Sequence, residues 1–240
     1  MFFGKEIAMH VYIVGCGGTG SALIKEFARY LSSKHYSYMN VVDVTLIDGD
    51  IVEKKNLDRQ AFIESDINHN KAEAMALAVQ EVFGLNFYHY PHYLTRYEQL
   101  EDLLREEEGS IIIGCVDNHQ CRQVLHQVFE KRESVVYIDA ANEYQTGEVV
   151  VAIKVKGNVF APDRAAYFPE ILKKQRSVEE LSCQELNQST PQHVVTNILS
   201  ANICLAQLLN VLDGDFTHGG IYYFDAFKSD IHKGEMPNAR

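Results

Sequence analysis

Apolar and polar positions alternate along the chain in a way that predicts its elements. Residues 10–14 are a short apolar run of strand type, followed by the glycine-rich stretch Gly15 to Gly20. Residues 21–31 then repeat apolar side chains at helical spacing (Ala22, Leu23, Phe27, Ala28, Leu31). Residues 41–47 are rich in β-branched side chains and form a second predicted strand. Further on, the patterns predict a helix over 70–83, a strand over 86–90 and an amphipathic helix over 97–107. They continue with a strand over 110–114, a helix over 118–131 and a strand over 135–140. Residues 110–114 are almost continuously apolar, as for a strand covered on both faces.

This order predicts an α/β fold with a doubly wound, mostly parallel Rossmann-like sheet. Residues 147–155 and 219–227 read as later strands, an antiparallel extension in the C-terminal part. Between them lies a polar stretch, 173–192, and then a long apolar-rich helix over 190–212, with Thr190 as N-cap and Pro191 at the first helical position. The expected organisation is one domain over 1–240. It comprises a core over 10–155, a loop region over 156–190, the long helix and final strand over 191–229, and a polar, frayed tail over 230–240.

Within this frame the glycines acquire a chemical meaning. G-x-G-x-x-G between a strand and a helix is a phosphate-binding arrangement: Gly15 permits the turn, Gly17 and the adjoining Gly18 let backbone approach an anion, and Gly20 allows close packing. The helix N-terminus adds free N–H groups and the positive end of the helix dipole. A glycine turn with no ligand is the plainer reading. The second strand ends in Asp48-Gly49-Asp50, where a carboxylate suits ribose hydroxyls of ATP or NAD alike.

The following segment separates the two nucleotides. Asn56, Arg59, Gln60 and Lys71 gather amide and cationic donors just beyond the acidic strand end. A dehydrogenase has no use for that cluster, whereas an adenylyl transfer develops negative charge on the α-phosphoryl group and on the leaving pyrophosphate. The fourth strand ends in Gly114-Cys115-Val116-Asp117-Asn118, at the end of an open sheet where ligands bind. Asp117 suits a Mg²⁺ bridging phosphates, or an N-cap of the next helix, and Arg122 is placed to face the same crevice.

Composition narrows the partners. A formal net charge of -11 with scattered Lys and Arg gives no basic stripe, so nucleic acid is not an expected partner. No apolar run approaches the ~20 residues of a membrane span, and the N-terminus lacks a signal-peptide layout, so the expected location is cytoplasmic, with no membrane partner. Five cysteines without a C-x-x-C pair predict reduced thiols, with neither disulfides nor structural zinc. His69, His89 and His92 read as loop or surface histidines rather than metal ligands.

Taken together, Gly15 to Gly20, Asp48-Gly49-Asp50, Asn56 to Gln60, Lys71, and Cys115 to Asn118 with Arg122 resemble the ThiF/MoeB/ubiquitin-activating superfamily, in a short prokaryotic form. The resemblance implies a Mg²⁺–ATP-dependent adenylyltransferase that activates the C-terminal carboxylate of a small ubiquitin-like protein or peptide and releases pyrophosphate. It implies that Asp48 binds ribose and that Asn56, Arg59 and Lys71 contact phosphates, with Gln60 in support. Asp117 would position the metal, and the chain would form a homodimer. Cys183, in the polar segment, is the candidate thioester nucleophile; a loop cysteine without a role is the alternative. The sequence departs from the family at three points: Lys5 is the only basic residue before the first strand, the C-x-x-C zinc pairs are missing, and no separate catalytic-cysteine domain follows. A nucleotide-binding scaffold without catalysis and, further off, an NAD-dependent oxidoreductase are the competing readings.

Overall fold

The computed structural model describes residues 8–33, 41–105, 109–173 and 192–237. Among the described residues nine strands form one sheet: β1 (Met9–Val14), β2 (Val41–Ile47), β3 (Tyr88–Tyr90), β4 (Gly109–Gly114), β5 (Val135–Asn142), β6 (Thr146–Val155), β7 (Asn158–Ala161), β8 (Gly220–Asp225) and β9 (Asp230–Lys233). Their order is β3-β2-β1-β4-β5-β6-β8-β9, with β7 paired to β6. The five strands from β3 to β5 are parallel, and every pairing from β5–β6 onward is antiparallel. The change occurs where a short reversal replaces a helical crossover: residues 143–145 join β5 to β6, too few for a parallel return.

Strand β1 explains the layering. It is buried along its whole length, and its alternate side chains serve different faces. Val11 and Ile13 pack under α1 (Gly18–Leu31) and α2 (Lys71–Phe83), together with α6 (Val194–Leu212). Tyr12 and Val14 face the opposite layer, which contains α3 (Tyr97–Glu101) and α4 (His119–Lys131). On the first face Leu23, Ile24, Phe27 and Leu31 of α1 are fully buried, at the spacing of one helical stripe. Asn70 starts α2 by accepting from the Ala72 and Glu73 N–H groups, and Gly84 ends it in the left-handed region at φ 70°.

Several expectations are corrected. The helix predicted over 97–107 stops at Glu101, and a turn carries the chain to Leu104. The long C-terminal helix begins at Val194 with His193 as its N-cap; Thr190 and Pro191 lie outside the described residues. Part of the predicted loop region is ordered into β7 and α5 (Arg164–Tyr167), and the first residues of the predicted tail form β9. Both strands were missed because they are short and lack alternation: β9 is Asp230-Ile231-His232-Lys233, exposed at every position. Helix α6 runs 19 residues without a charge, long and apolar enough by composition to cross a membrane, against the expectation of no such run. Here it is a core helix packed on α1, β5 and β6, and the face it buries includes Thr196, Asn197, Ser200 and Gln207.

Candidate functional site

In a parallel sheet of order 3-2-1-4-5, the crossovers leave β1 and β4 in opposite directions, which opens a crevice beyond their C-terminal ends. A cleft of about 940 Å³ occupies that place. Its floor is the turn from β1 into α1. Gly15 adopts φ 92°, and a Cβ there would stand 2.6 Å from the Cys115 carbonyl oxygen; at Gly20 a Cβ would stand 1.8 Å from the Gly15 oxygen. Only glycine fits either position. Gly17 precedes α1 without a side-chain cap, so the first N–H groups of that helix face the cleft with the dipole behind them.

The acidic pair does two jobs. Asp48 accepts from the Cys16 N–H at 2.6 Å (Oδ2) and from the Asp50 N–H at 2.8 Å (Oδ1), which ties the glycine turn to the end of β2. Burial pushes its carboxyl above the ordinary value, against the pull of those two N–H groups. Each oxygen retains one further lone pair for a ligand hydroxyl. Asp50 instead accepts from Lys71 Nζ at 2.9 Å and from the Tyr93 hydroxyl. Burial raises the Asp50 carboxyl, but Tyr93 and Lys71 outweigh it and hold it below the carboxylate range. The hydrogen bond to Asp50, with burial, pushes Tyr93 up to about 12.

The excursion over residues 51–70 is pinned at both ends. Asn70 Nδ2 donates to the carbonyls of Asp48 (2.8 Å) and Asp50 (3.0 Å), which places Lys71 at the cleft. Ser21 Oγ of α1 accepts from the Ala61 N–H at 3.0 Å and thereby holds Arg59 and Gln60 over the α1 N-terminus. Arg59 lines the cleft, and its guanidinium makes no hydrogen bond or ion pair among the described residues. Gln60 Oε1 is buried without a partner. On the opposite wall Asp117 is exposed, and its carboxylate has no partner among the described residues.

Of the predicted site residues, Gly15, Gly17, Gly18, Asp48, Asp50, Arg59, Gln60, Lys71, Asp117, Asn118 and Arg122 all line this one cleft, with Gly20 packed beneath it. Three carry roles other than those expected. Asn56 is 3% exposed and does not line the cleft. Its Oδ1 accepts from the Glu53 N–H, and its carbonyl accepts from the N–H groups of Arg59 and Gln60, so it shapes the turn that presents them. Asn118, rather than Asp117, caps α4 by accepting from the Cys121 N–H at 2.8 Å. Arg122 is buried and donates to the Val116 carbonyl (2.6 Å), the Ala140 carbonyl (3.1 Å) and Asp139 (3.5 Å), so it braces the wall of the cleft that it lines. Cys183 and Lys5 lie outside the described residues.

Sequence reasoning missed a buried ionic brace and a polar wall. Asp139, wholly buried on β5, meets Arg122 on one side and Arg164 Nε at 2.5 Å on the other, and Arg164 also donates to Glu148 at 2.6 Å. Burial pulls Arg164 toward neutrality, but the Asp139 and Glu148 charges overcome it and raise its pKa above the ordinary value. The polar wall comprises Thr19, Asn142, Gln192 and Asn197. Its signal in the sequence was a stripe of Thr196, Asn197, Ser200 and Gln207 on an otherwise apolar helix. A third unexpected part is the run His92 to Thr95 after β3, whose Tyr93 ring lies against Gly49.

Comparisons with known proteins agree with this fold. The sequence profile of the ThiF family matches residues 5–240. The SAMP-activating enzyme E1 of Haloferax volcanii is 33% identical over 84 residues, which are 35% of this chain and 27% of that protein. Among solved structures, E. coli MccB with ATP superposes with a TM-score of 0.69 at 16% identity, covering 98% of this chain and 64% of that one. MccB has also been solved with N-formylated MccA, at a TM-score of 0.69, 16% identity and 97% and 65% coverage. PaaA gives a TM-score of 0.68 at 16% identity, with 97% and 64% coverage. The chain thus spans less than two thirds of the length of these relatives.

Proposed function

The chain belongs to the ThiF family, and from that premise we propose that it uses ATP to adenylate the C-terminal carboxylate of a small protein or peptide. The observation that carries the reading is the convergence, in one crevice, of the uncapped α1 N-terminus with the unpaired Arg59 and Asp117. A free guanidinium in the same crevice as the phosphate turn is placed to meet the charge that develops on a triphosphate during adenylyl transfer. A relative named SAMP-activating enzyme E1, and a related fold solved with ATP and with N-formylated MccA, support the same direction.

In this proposal the α1 N–H groups hold the phosphates, and Asp48 accepts from the ribose hydroxyls. A carboxylate oxygen of the partner attacks the α-phosphorus in line. The new O–P bond forms as the bond to the pyrophosphate oxygen breaks, giving an acyl adenylate and pyrophosphate. No general base takes part, because the attacking carboxylate is already ionised. Arg59 stabilises the charge that develops on the leaving group, and Lys71 joins it by exchanging Asp50 for phosphate oxygen. Among the described residues no group of three or more acidic, His or Cys side chains gathers, so the single free carboxylate of Asp117 fits a Mg²⁺ held mainly by phosphate oxygens and water. When bound, that ion would neutralise phosphate charge.

A ubiquitin-like fold for the partner, a homodimer, and onward transfer of the acyl group to Cys183 are further parts of the proposal, taken from the family resemblance. A non-catalytic nucleotide scaffold is the second reading, and the Asp50–Lys71 pair, which already occupies a donor the transfer would use, favours it. Calorimetric titration with Mg²⁺–ATP and with NAD⁺ tests the site. The proposal expects ATP binding that weakens in Arg59→Ala and Asp117→Ala; binding of NAD⁺ alone sinks it. Pyrophosphate release with a carboxylate substrate then separates enzyme from scaffold.

A further inference from the structure

The polar wall of the cleft holds two atoms with nothing to bond. Asn142 ends β5, Asn197 stands in the first turn of α6, and Thr19 of α1 lies between them. Asn142 Nδ2 donates to Thr19 Oγ1 at 2.7 Å and to Asn197 Oδ1 at 3.0 Å. That leaves Asn142 Oδ1 and Asn197 Nδ2 buried with no partner among the described residues, and Asn197 is only 1% exposed. The free nitrogen lies directly against the phosphate turn: a Cβ on Gly18 would stand 2.1 Å from it.

Carboxamide oxygen and nitrogen exchange places when an amide is flipped. Flipping both side chains reverses the hydrogen bond between them and still leaves one donor and one acceptor free. The inventory is therefore independent of how the amides are oriented. Leaving a buried polar group unpaired is costly, so a ligand that satisfies both is favoured at this spot. A peptide unit does so, presenting a carbonyl to the donor and an N–H to the acceptor. A simple acyl chain, with no amide beside its carboxylate, does not.

The surroundings suit an extended chain. One helical turn before Asn197, His193 packs against Tyr144 and Phe227, with ring centroids 5.4 Å and 5.1 Å apart. Tyr144 is 43% and Phe227 52% exposed, so a peptide entering from that side crosses an apolar surface before it reaches the asparagines. Thr196 Oγ1 donates to the Tyr144 carbonyl at 2.7 Å and fixes this corner to α6.

We propose that Asn142 and Asn197 read the last peptide bond of the acyl substrate and so set its terminal carboxylate beside the α1 N-terminus. This makes the substrate a peptidyl carboxylate, and it rests on the adenylation reading above. The test uses the full chain, Mg²⁺–ATP and a pool of N-acetyl hexapeptides with free carboxylates. A matching depsipeptide pool, in which an ester oxygen replaces the last amide N–H, removes the donor from the substrate. Pyrophosphate release is expected from the peptide pool. For the depsipeptide pool the apparent KM should rise about tenfold, the scale of one hydrogen bond, with kcat within about threefold.

That penalty should vanish in whichever of Asn142→Ala and Asn197→Ala removes the acceptor, because its KM for the peptide pool rises to that for the depsipeptide pool. A penalty that survives in both variants overturns the inference, as does equal KM for the two pools; either result assigns the free atoms to a buried water. Release of pyrophosphate with no peptide, from a protein that still binds ATP, also overturns it and leaves the nucleotide reading standing. Failure to bind ATP at all sinks the adenylation reading itself.

Discussion

Arg59 and Asp117 carry opposite charges on two walls of one cleft, and neither meets a counter-charge among the described residues. Holding a free ion near a low-dielectric wall is costly, and a triphosphate with its metal would satisfy both. Arg59→Ala and Asp117→Ala are therefore expected to cut acyl-adenylate formation by about a hundredfold each, the scale of one lost electrostatic contact. Pyrophosphate exchange checks this, and near-parental rates would argue against both roles. Asn118→Ala, by contrast, should cost stability and not chemistry: about 1 kcal/mol for a lost N-cap, read in urea unfolding. The sequence announced Asp48, Arg59 and Asp117 because a strand end or a turn puts a short polar residue into a crevice almost regardless of the rest of the fold. It misplaced Asn56, and it did not foresee that Asn118 and Arg122, which do line the cleft, also answer to local backbone N–H and C=O groups. Which of two neighbours caps a helix is decided by dihedral angles, and residue type does not carry that information.

At the scale of elements, the β1–α1 turn and the β5–α5 brace control the site from below. Gly20→Ala would drive a methyl group into the Gly15 carbonyl, 1.8 Å away. It is expected to destabilise the protein by about 1–3 kcal/mol or more and to abolish ATP binding, because α1 can no longer seat at the turn. Asp139→Ala would leave Arg122 and Arg164 buried without their shared partner. A loss of about 3–5 kcal/mol in denaturant unfolding is expected. The strand α5 follows is anchored on its other side by His126, whose Nδ1 lies 2.6 Å from Asp163 on the facing segment. The hydrogen bond to Asp163 raises the His126 pKa, burial opposes it, and the Asp163 and Glu130 charges add to the rise. A raised histidine contributes stability that is fully present below its unfolded value of about 6.5 and is lost as pH rises through the folded value. Stability should therefore fall on moving from below pH 6.5 into the alkaline side of that window, and His126→Ala should flatten this part of the profile. Periodicity exposed β1, β2, β4 and α1 readily, since each has a fully buried stripe. It could not expose β9 or α5, which exist because β8 and Asp139 offer them partners, not because their own residues prefer those shapes.

For the whole molecule, ligand binding should appear as added stability. Saturation at 100 times Kd contributes about 2.7 kcal/mol, which for a chain of 240 residues raises Tm by roughly 5–10 °C. Mg²⁺–ATP is expected to give that shift and Asp117→Ala to shrink it, in a thermal scan at fixed ligand concentration. The fold class was legible in full, because a parallel sheet leaves long apolar strands separated by helices, and the antiparallel extension showed in the helix-free spacing around residues 143–145. The far wall of the cleft was not legible, because it pairs positions that only the finished topology brings together. Thr19 and Asn197 are 178 positions apart in the chain and stand 3.5 Å from each other. That separation sets a clock on biosynthesis. At about 5–20 residues per second, the ribosome needs roughly 10–35 s after making Thr19 before it makes Asn197. A nascent chain that has folded β1 to β5 already owns its phosphate turn but has no α6 to close it. Truncated products that stop short of residue 197 would consequently retain the nucleotide-facing half of the crevice with one side open.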